Sequence, residues 1–396
     1  MTYIRWSGML LNVLKESVGY EIGKKTKECI VDPMPINNFL DTFLPISHFE
    51  HYSSTRDHFE PKISFAKTAT ITKELHLNQL SKLPPKTAMY EPFIKEMECF
   101  APNLHFIDTH TQGDKKSGYK TLTSCKASPL ETHIKFKQLG QPDPFMLCGP
   151  GIDQSKTSFI SPASDHQDTL GQLMTYTACQ LASQFRTHCF SIFILGHIAH
   201  IIQWDREGVI VTKLIKYIKD SSLIEFFSNL AQAQDRLCGI NIQQTLDLPP
   251  ETEMFKTWIE QFTVIFPQPY SPLSTPACHG TCTCHAYDLS SDHVVFFKDS
   301  WHINLANIIP EGKVYAKLNS KQVPYVLTCL TTYNVPCWPK QEPQTFKYSQ
   351  YPWAYQAGLQ IMPHIHHLIK GHILIVKSYT RMSALGISSS TMAGVI

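Results

Sequence analysis

The stretch from His188 to Ile215, "HCFSIFILGHIAHIIQWDREGVIVTKLI", constrains this chain more than any other. It holds three β-rich runs, "HCFSIFIL", "IAHIIQW" and "GVIVTKLI", joined only by Gly196-His197 and by Asp205-Arg206-Glu207-Gly208. Connectors this short can only reverse the chain, and a glycine in each can take the left-handed turn position. The spacing predicts a three-stranded antiparallel meander. Ahead of it, Ser164 and Gln167 form a capping-box pattern, and Leu170, Leu173, Met174, Ala178, Leu181 and Phe185 fall on one helical face. Behind it, Ser222 and Glu225 repeat the pattern, Leu223, Phe226, Phe227 and Leu230 form the buried face, and Gly239 stands as the stop signal. Helix, meander and helix should pack as one pair of layers. Its single core is expected from Leu170, Leu173, Met174, Phe185, Ile192, Ile194, Ile201, Phe226, Phe227 and Leu230.

The rest of the chain divides around this block. Residues 1–90 give only weak helical periodicity, near Ile4 to Val18 and Thr70 to Leu80, among several prolines. Tyr90, Phe93, Ile94 and Met97 lie on one face of a helix that must stop before Pro102. "NLHFIDTH" and "LETHIKFK" read as strands, so 91–247 is an α/β region containing the meander. Pro249, Pro250, Pro267, Pro269 and their neighbours mark 248–270 as a proline-rich boundary. A second unit spans 271–338, in which "GTCTCHAYD" and "DHVVFFK" form a hairpin around Asp288 to Asp292. "PEGKVYAKLNS" follows as a helix with Pro310 in its first turn and Val314 and Leu318 facing inward, and "VPYVLTCL" as a further strand. Residues 339–396 read as an irregular tail. The fold class is α+β.

Composition narrows the functional classes. A chain of 396 residues with 43% hydrophobic residues can bury at least two cores. With 35 basic against 33 acidic residues and a net charge of +2, no field favours nucleic acid or an anionic membrane as a partner. The N-terminus lacks a secretory apolar stretch, because Ser7, Asn12, Lys15 and Glu16 interrupt it. The twelve cysteines are therefore read as reduced thiols of an intracellular protein, cytoplasmic or nuclear. The most apolar window, Cys189 to Trp204, falls short of the ~20 residues of a membrane span.

The chemistry-bearing pair is in the second unit. Lys298 ends the apolar run "VVFFKDSW" and Glu311 opens the helix "PEGKVYAKL". In the small lobe of a protein kinase a strand lysine holds nucleotide phosphates and is oriented by a glutamate on the following helix. The segments "QFRTHCFSIFILGHIAHIIQWDREGVIVTKLIKY", "VVFFKDSW", "PEGKVYAKL" and "PWAYQ", in this order, resemble the fungal-type protein kinase family, over about residues 90 to 370. The resemblance implies an α/β region followed by a kinase-like small lobe, and ATP-dependent phosphotransfer to a protein hydroxyl, with Lys298 and Glu311 as the matching pair. It places Gly280 in the loop that covers the phosphates, where "STPACHGTCTC" carries no other glycine. Phosphoryl transfer also needs a catalytic-loop aspartate and a magnesium-binding aspartate. After Asp299 the only carboxylates are Glu311 and Glu342. The expectation is thus a truncated, pseudokinase-like chain with no catalytic residue of its own, weak ATP binding, no magnesium site and a protein partner of unknown identity.

Other functional classes require other residues. A non-enzymatic interaction module built on the meander is the alternative function. A degenerate restriction-nuclease-like metal site is the third: it would need carboxylates where Asn103 and Lys135-Phe136-Lys137 stand, with only Asp108 and Glu131 as substitutes. Cys278, Cys282 and Cys284, with His279 and His285, are soft ligands, yet no second ligand pair follows, so zinc is not expected. Cys282 and Cys284 alternate onto one strand face and read as small buried residues. His188, His197 and His200 read as hydrogen-bonded or exposed histidines, and Trp204-Asp205-Arg206 as an aromatic strand end with a charged turn.

Overall fold

The computed structural model describes residues 27–45, 89–108, 122–125, 130–145, 158–183, 186–234, 237–239, 254–259, 262–267, 277, 280–335, 342–355 and 359–372. The helical periodicities near Ile4 and Thr70 and the side chain of Phe185 lie outside them. The chain is an α+β protein and divides into two units, residues 1–241, 272–280 and 337–364, and residues 242–271, 281–336 and 365–396. No described helix is long and apolar enough to cross a membrane.

The first unit is built on a seven-stranded sheet of order β1-β7-β6-β5-β4-β3-β2. Its strands are β1 (Ile30–Met34), β2 (His105–Asp108), β3 (Leu122–Cys125), β4 (Leu130–Lys137), β5 (His188–Leu195), β6 (Ile198–Asp205) and β7 (Val209–Thr212). The predicted meander is present: β5 pairs antiparallel with β6, and β6 with β7. β1 joins β7 in parallel and β4 joins β5 in parallel, so the sheet is mixed. Helices α1 (Ile36–Phe43), α2 (Tyr90–Phe100), α3 (Ser164–Ser183) and α4 (Ser222–Gln232) cover it. At Gly208 a Cβ would stand 2.2 Å from the carbonyl oxygen of Cys29, so the close approach of the chain before β1 requires glycine there.

The core is not the single one expected. Ile192, Ile194 and Ile201 pack with Phe226, Phe227 and Leu230 of α4, with Phe93 and Met97 of α2 and with Phe39 and Phe43 of α1. Leu170, Leu173 and Met174 of α3 pack instead with Phe193, Trp204, Val209 and Val211. Alternation along the strands explains the split. Successive side chains of β5 point to opposite faces, and a central strand covered by helices on both sides is apolar throughout. The α4 start also differs from expectation: Ser222 lies inside the helix and donates its N–H and its hydroxyl to Asp220. Gly239 does not end α4, which stops at Gln232; it lies against β5, where its carbonyl accepts from Thr187 N at 2.8 Å.

The tail read as irregular is structured in its described part. Helix α6 (Thr345–Tyr348, four residues) and the chain after it run beside β1, where Tyr355 N donates to Asp32 O and Gln360 N to Glu28 O. Two buried carboxylates of the meander turn hold this segment. Asp205 accepts from Gln344 N at 2.7 Å, Thr345 N at 3.1 Å and Thr345 Oγ1 at 2.9 Å, as well as from its own turn amides, Glu207 N and Gly208 N. Glu207 accepts from Phe346 N and His364 N, both at 2.9 Å. Burial, and then the charge of Asp205, push the Glu207 carboxyl up. From the sequence, Trp204-Asp205-Arg206 reads as an aromatic strand end with a charged turn; the structure makes that turn a buried clasp, in which amides over 130 residues away supply the partners.

The second unit is a six-stranded sheet of order β12-β13-β11-β10-β9-β8. It comprises β8 (Met254–Ile259), β9 (Phe262–Pro267), β10 (Cys282–Asp288), β11 (His293–Ile303), helix α5 (Glu311–Ser320), β12 (Cys329–Asn334) and β13 (His364–His372). The proline-rich boundary thus contains the β8–β9 hairpin: its prolines flank a proline-free run, "MFKTWIEQFTVIF", of β-forming residues. β13 falls within the part expected to be irregular. Phe266 of β9 and Phe297 of β11 stack at 4.7 Å between ring centres, with Val264, Ala286 and Val295 also buried.

Candidate functional site

The β10–β11 hairpin expected around Asp288 to Asp292 is present, and its register sets Cys284 opposite Phe297 and Thr283 opposite Lys298. On β11, Val295 and Phe297 are buried, so by alternation Lys298 projects from the other face of the sheet. Residues 304–310 then carry the chain to α5, whose first residue is Glu311, and the Pro310 carbonyl accepts from Lys313 N and Val314 N to close the first turn. The helix seats on β12 through Gly312, where an added Cβ would lie 2.3 Å from the Thr332 side chain. This seating turns Glu311 towards β11.

Lys298 Nζ donates to both carboxylate oxygens of Glu311, each at 2.6 Å. The side chains retain 17% and 35% exposure, so the pair is partly screened and contributes about 0–1 kcal/mol to stability. Such a pair fixes a cation in place more than it holds the fold together. Two neighbours missed in the sequence flank the glutamate. Tyr315, one turn on, hydrogen-bonds Glu311, and its phenol is raised by burial and then by the glutamate charge. Cys329, which begins β12, has its thiol raised by burial and then by the same charge. The i,i+4 spacing of Glu311 and Tyr315 was the available signal for the first; the second depends on strand position.

Val314 is 40% exposed and Leu318 half-buried, which corrects the expected inward pair. Gly312 takes the inward position because Glu311 must reach Lys298. Pro310 precedes the first helical residue rather than occupying the first turn. The strand predicted at "VPYVLTCL" starts only at Cys329, since Gln322 and Tyr325 adopt left-handed φ values of 51° and 65°. Asn319 then clamps the strand entry, donating to Leu327 O and accepting from Cys329 N.

Gly280 falls in the first unit, with a φ of 49° and the Arg206 guanidinium carbon 3.0 Å from where a Cβ would be. Cys278 and His279 lie outside the described residues, as does the side chain of Cys282. Cys284 is half-buried, its thiol pushed up to about 12 by burial and then by Asp299. Among the described residues no group of three potential ligands could hold a metal ion. The strands proposed for the nuclease site are not neighbours, because β3 lies between β2 and β4. Asn103 is exposed, and the Lys135 ammonium lies 5.6 Å from the Tyr176 ring centre. His188 and His200 are buried, the first bonded to Leu237 O and the second to Thr212 O, and burial lowers both to about 4. Neutral and hydrogen-bonded, they serve the sheet. Comparison with protein-family models, with curated proteins and with solved structures finds no match.

Proposed function

We propose that this chain is a homologue of the fungal-type protein kinases whose second unit serves as a kinase-like nucleotide-binding lobe, without phosphotransfer activity of its own. The observation that supports this reading is the bidentate Lys298–Glu311 pair, formed between the end of a β-strand and the first turn of the helix that follows. A partly exposed ammonium held by a carboxylate is oriented before a phosphate arrives, so an incoming nucleotide need not order it. The glutamate also keeps the lysine stem from turning into bulk solvent. Strand order supports the same reading: the helix lies between β11 and β12 in the chain, and β13 inserts beside β11.

Residues 312–396 supply few of the groups that the chemistry after binding would need. Phosphoryl transfer depends on carboxylates that hold magnesium and position the attacking hydroxyl. In the residues after Asp299, Glu311 is occupied by Lys298 and Glu342 is the sole other carboxylate. Nucleotide binding is therefore the activity assigned, with ATP as the ligand and a protein as the unidentified partner. Equilibrium titration with a fluorescent ATP analogue, with and without magnesium, tests it. Saturable binding that needs no magnesium is expected; a flat titration in both conditions overturns the reading.

A further inference from the structure

The outer face of α5 carries a second feature that the Lys298–Glu311 pair does not use. Lys313, Lys317 and Lys321 follow one another at four-residue intervals, which places their side chains on one stripe about 12 Å long. All three are exposed, and none has a carboxylate partner among the described residues. Like charges at this spacing disfavour the helix. Lys317 and Lys321 lie at the helix C-terminus, where the backbone dipole favours a cation, but Lys313 is in the first turn, where it opposes the dipole. The helix does not need this stripe for its own stability.

Exposed apolar side chains accompany the stripe along the chain. Ile309, just before the helix, is 65% exposed and Val314, within it, 40%. Tyr325, just after it, is 96% exposed on a backbone held at φ 65°. Exposed apolar side chains within a few residues of exposed lysines match the composition of a binding surface better than that of a solvated helix face. The one carboxylate of the helix cannot neutralise the stripe, since both its oxygens are engaged by Lys298.

We infer that this face of the second unit docks an acidic partner segment, an extended or helical stretch of a second protein in which carboxylates alternate with aliphatic or aromatic side chains. Charge complementarity selects the acid, and the interleaved Ile309, Val314 and Tyr325 select its apolar neighbours. A phosphate polymer fits less well. The stripe contains no arginine and a single exposed aromatic ring, and the chain as a whole carries a net charge of only +2.

The test uses the full chain and four probes at one ionic strength: a labelled twelve-residue peptide of alternating glutamate and leucine or phenylalanine, the same peptide with lysine for glutamate, a single-stranded oligonucleotide, and vesicles of phosphatidylserine and phosphatidylcholine. Fluorescence anisotropy, or co-sedimentation for vesicles, reads binding. The acidic peptide is expected to bind and its basic counterpart not to. The Lys313→Glu, Lys317→Glu, Lys321→Glu triple variant should weaken binding by about tenfold or more, as should added salt. Tyr325→Ala should weaken it without changing the salt dependence. A second triple variant, at the exposed Lys213, Lys216 and Lys219 of the first unit, should leave binding unchanged. Circular dichroism of each variant checks that it is folded. No binding of the acidic peptide, equal losses in both triple variants, or tighter binding of oligonucleotide or vesicles through the same three lysines would each overturn the inference.

Discussion

Replacing Asp205 by asparagine changes one oxygen to an amide nitrogen and almost nothing else in volume. Asp205 is fully buried. Its Oδ1 accepts from Glu207 N, Gly208 N and Thr345 Oγ1, at 2.9, 3.0 and 2.9 Å, and its Oδ2 from Gln344 N and Thr345 N, at 2.7 and 3.1 Å. An asparagine has one acceptor oxygen, so in either orientation at least two backbone N–H groups face an NH₂ group instead. Each lost bond to a charged acceptor costs about 1.5–3 kcal/mol, and relief from burying a carboxylate offsets part of the sum. The expected loss is about 3–5 kcal/mol, a large share of the stability of a typical domain. Urea unfolding followed by tryptophan fluorescence measures it, since Trp204 is fully buried beside the turn and its indole N–H donates to Ser191. Hydrogen exchange should show protection lost at the amides of residues 344–346 before the rest of the unit. A change within about 0.5 kcal/mol, the scale of surface substitutions, with protection intact, would refute the clasp.

Three further outcomes are expected. Phe227→Ala should destabilise by about 3–5 kcal/mol in the same unfolding assay, because the ring lies 5.3–5.8 Å from those of Phe226, Phe106 and Phe93. His200 is held near pKa 4, against 6.5 in an exposed histidine, so below pH 6.5 the unfolded chain binds the proton first. The parent should then lose stability relative to His200→Phe as pH falls from 6.5 to 4, by on the order of 3 kcal/mol; equal pH profiles would contradict the burial argument. Purified protein given labelled ATP and magnesium should put no phosphate on generic protein substrates; labelling by the parent but not by Lys298→Met would show that the missing carboxylates are supplied from elsewhere.

What could be read from sequence was what local periodicity and short connectors dictate. The meander, α2, α3, α4, the β10–β11 hairpin and the Lys298–Glu311 pairing all rest on interactions within some twenty residues. β1 and β13 were missed because they take their place by pairing with partners far away in the chain, β1 with β7 and β13 with β12, and β3 because four residues, "LTSC", are too few to show an alternation. The split of the core was hidden for a related reason: a strand apolar on both faces has no alternation to say which helix covers which face. Asp205 and Glu207 read only as a charged turn because nothing in their neighbourhood announces the amides of residues 344–346 and 364. In the site, Tyr315 was visible in helical spacing, but the inward turn of Gly312 depended on contact with Thr332, a strand away.

Lys298, oriented by Glu311, is proposed to receive the phosphates of a nucleotide. The most direct measurement is the dissociation constant of a fluorescent ATP analogue for the parent, Lys298→Met, Glu311→Gln and the double variant, with adenosine as the probe lacking phosphates. Lys298→Met should weaken the ATP analogue by about tenfold, equivalent to ~1.4 kcal/mol, and leave adenosine unchanged. Glu311→Gln should weaken it less, and the double variant should match Lys298→Met, because the glutamate acts through the lysine. Equal affinity of the parent and Lys298→Met for the ATP analogue would contradict the account.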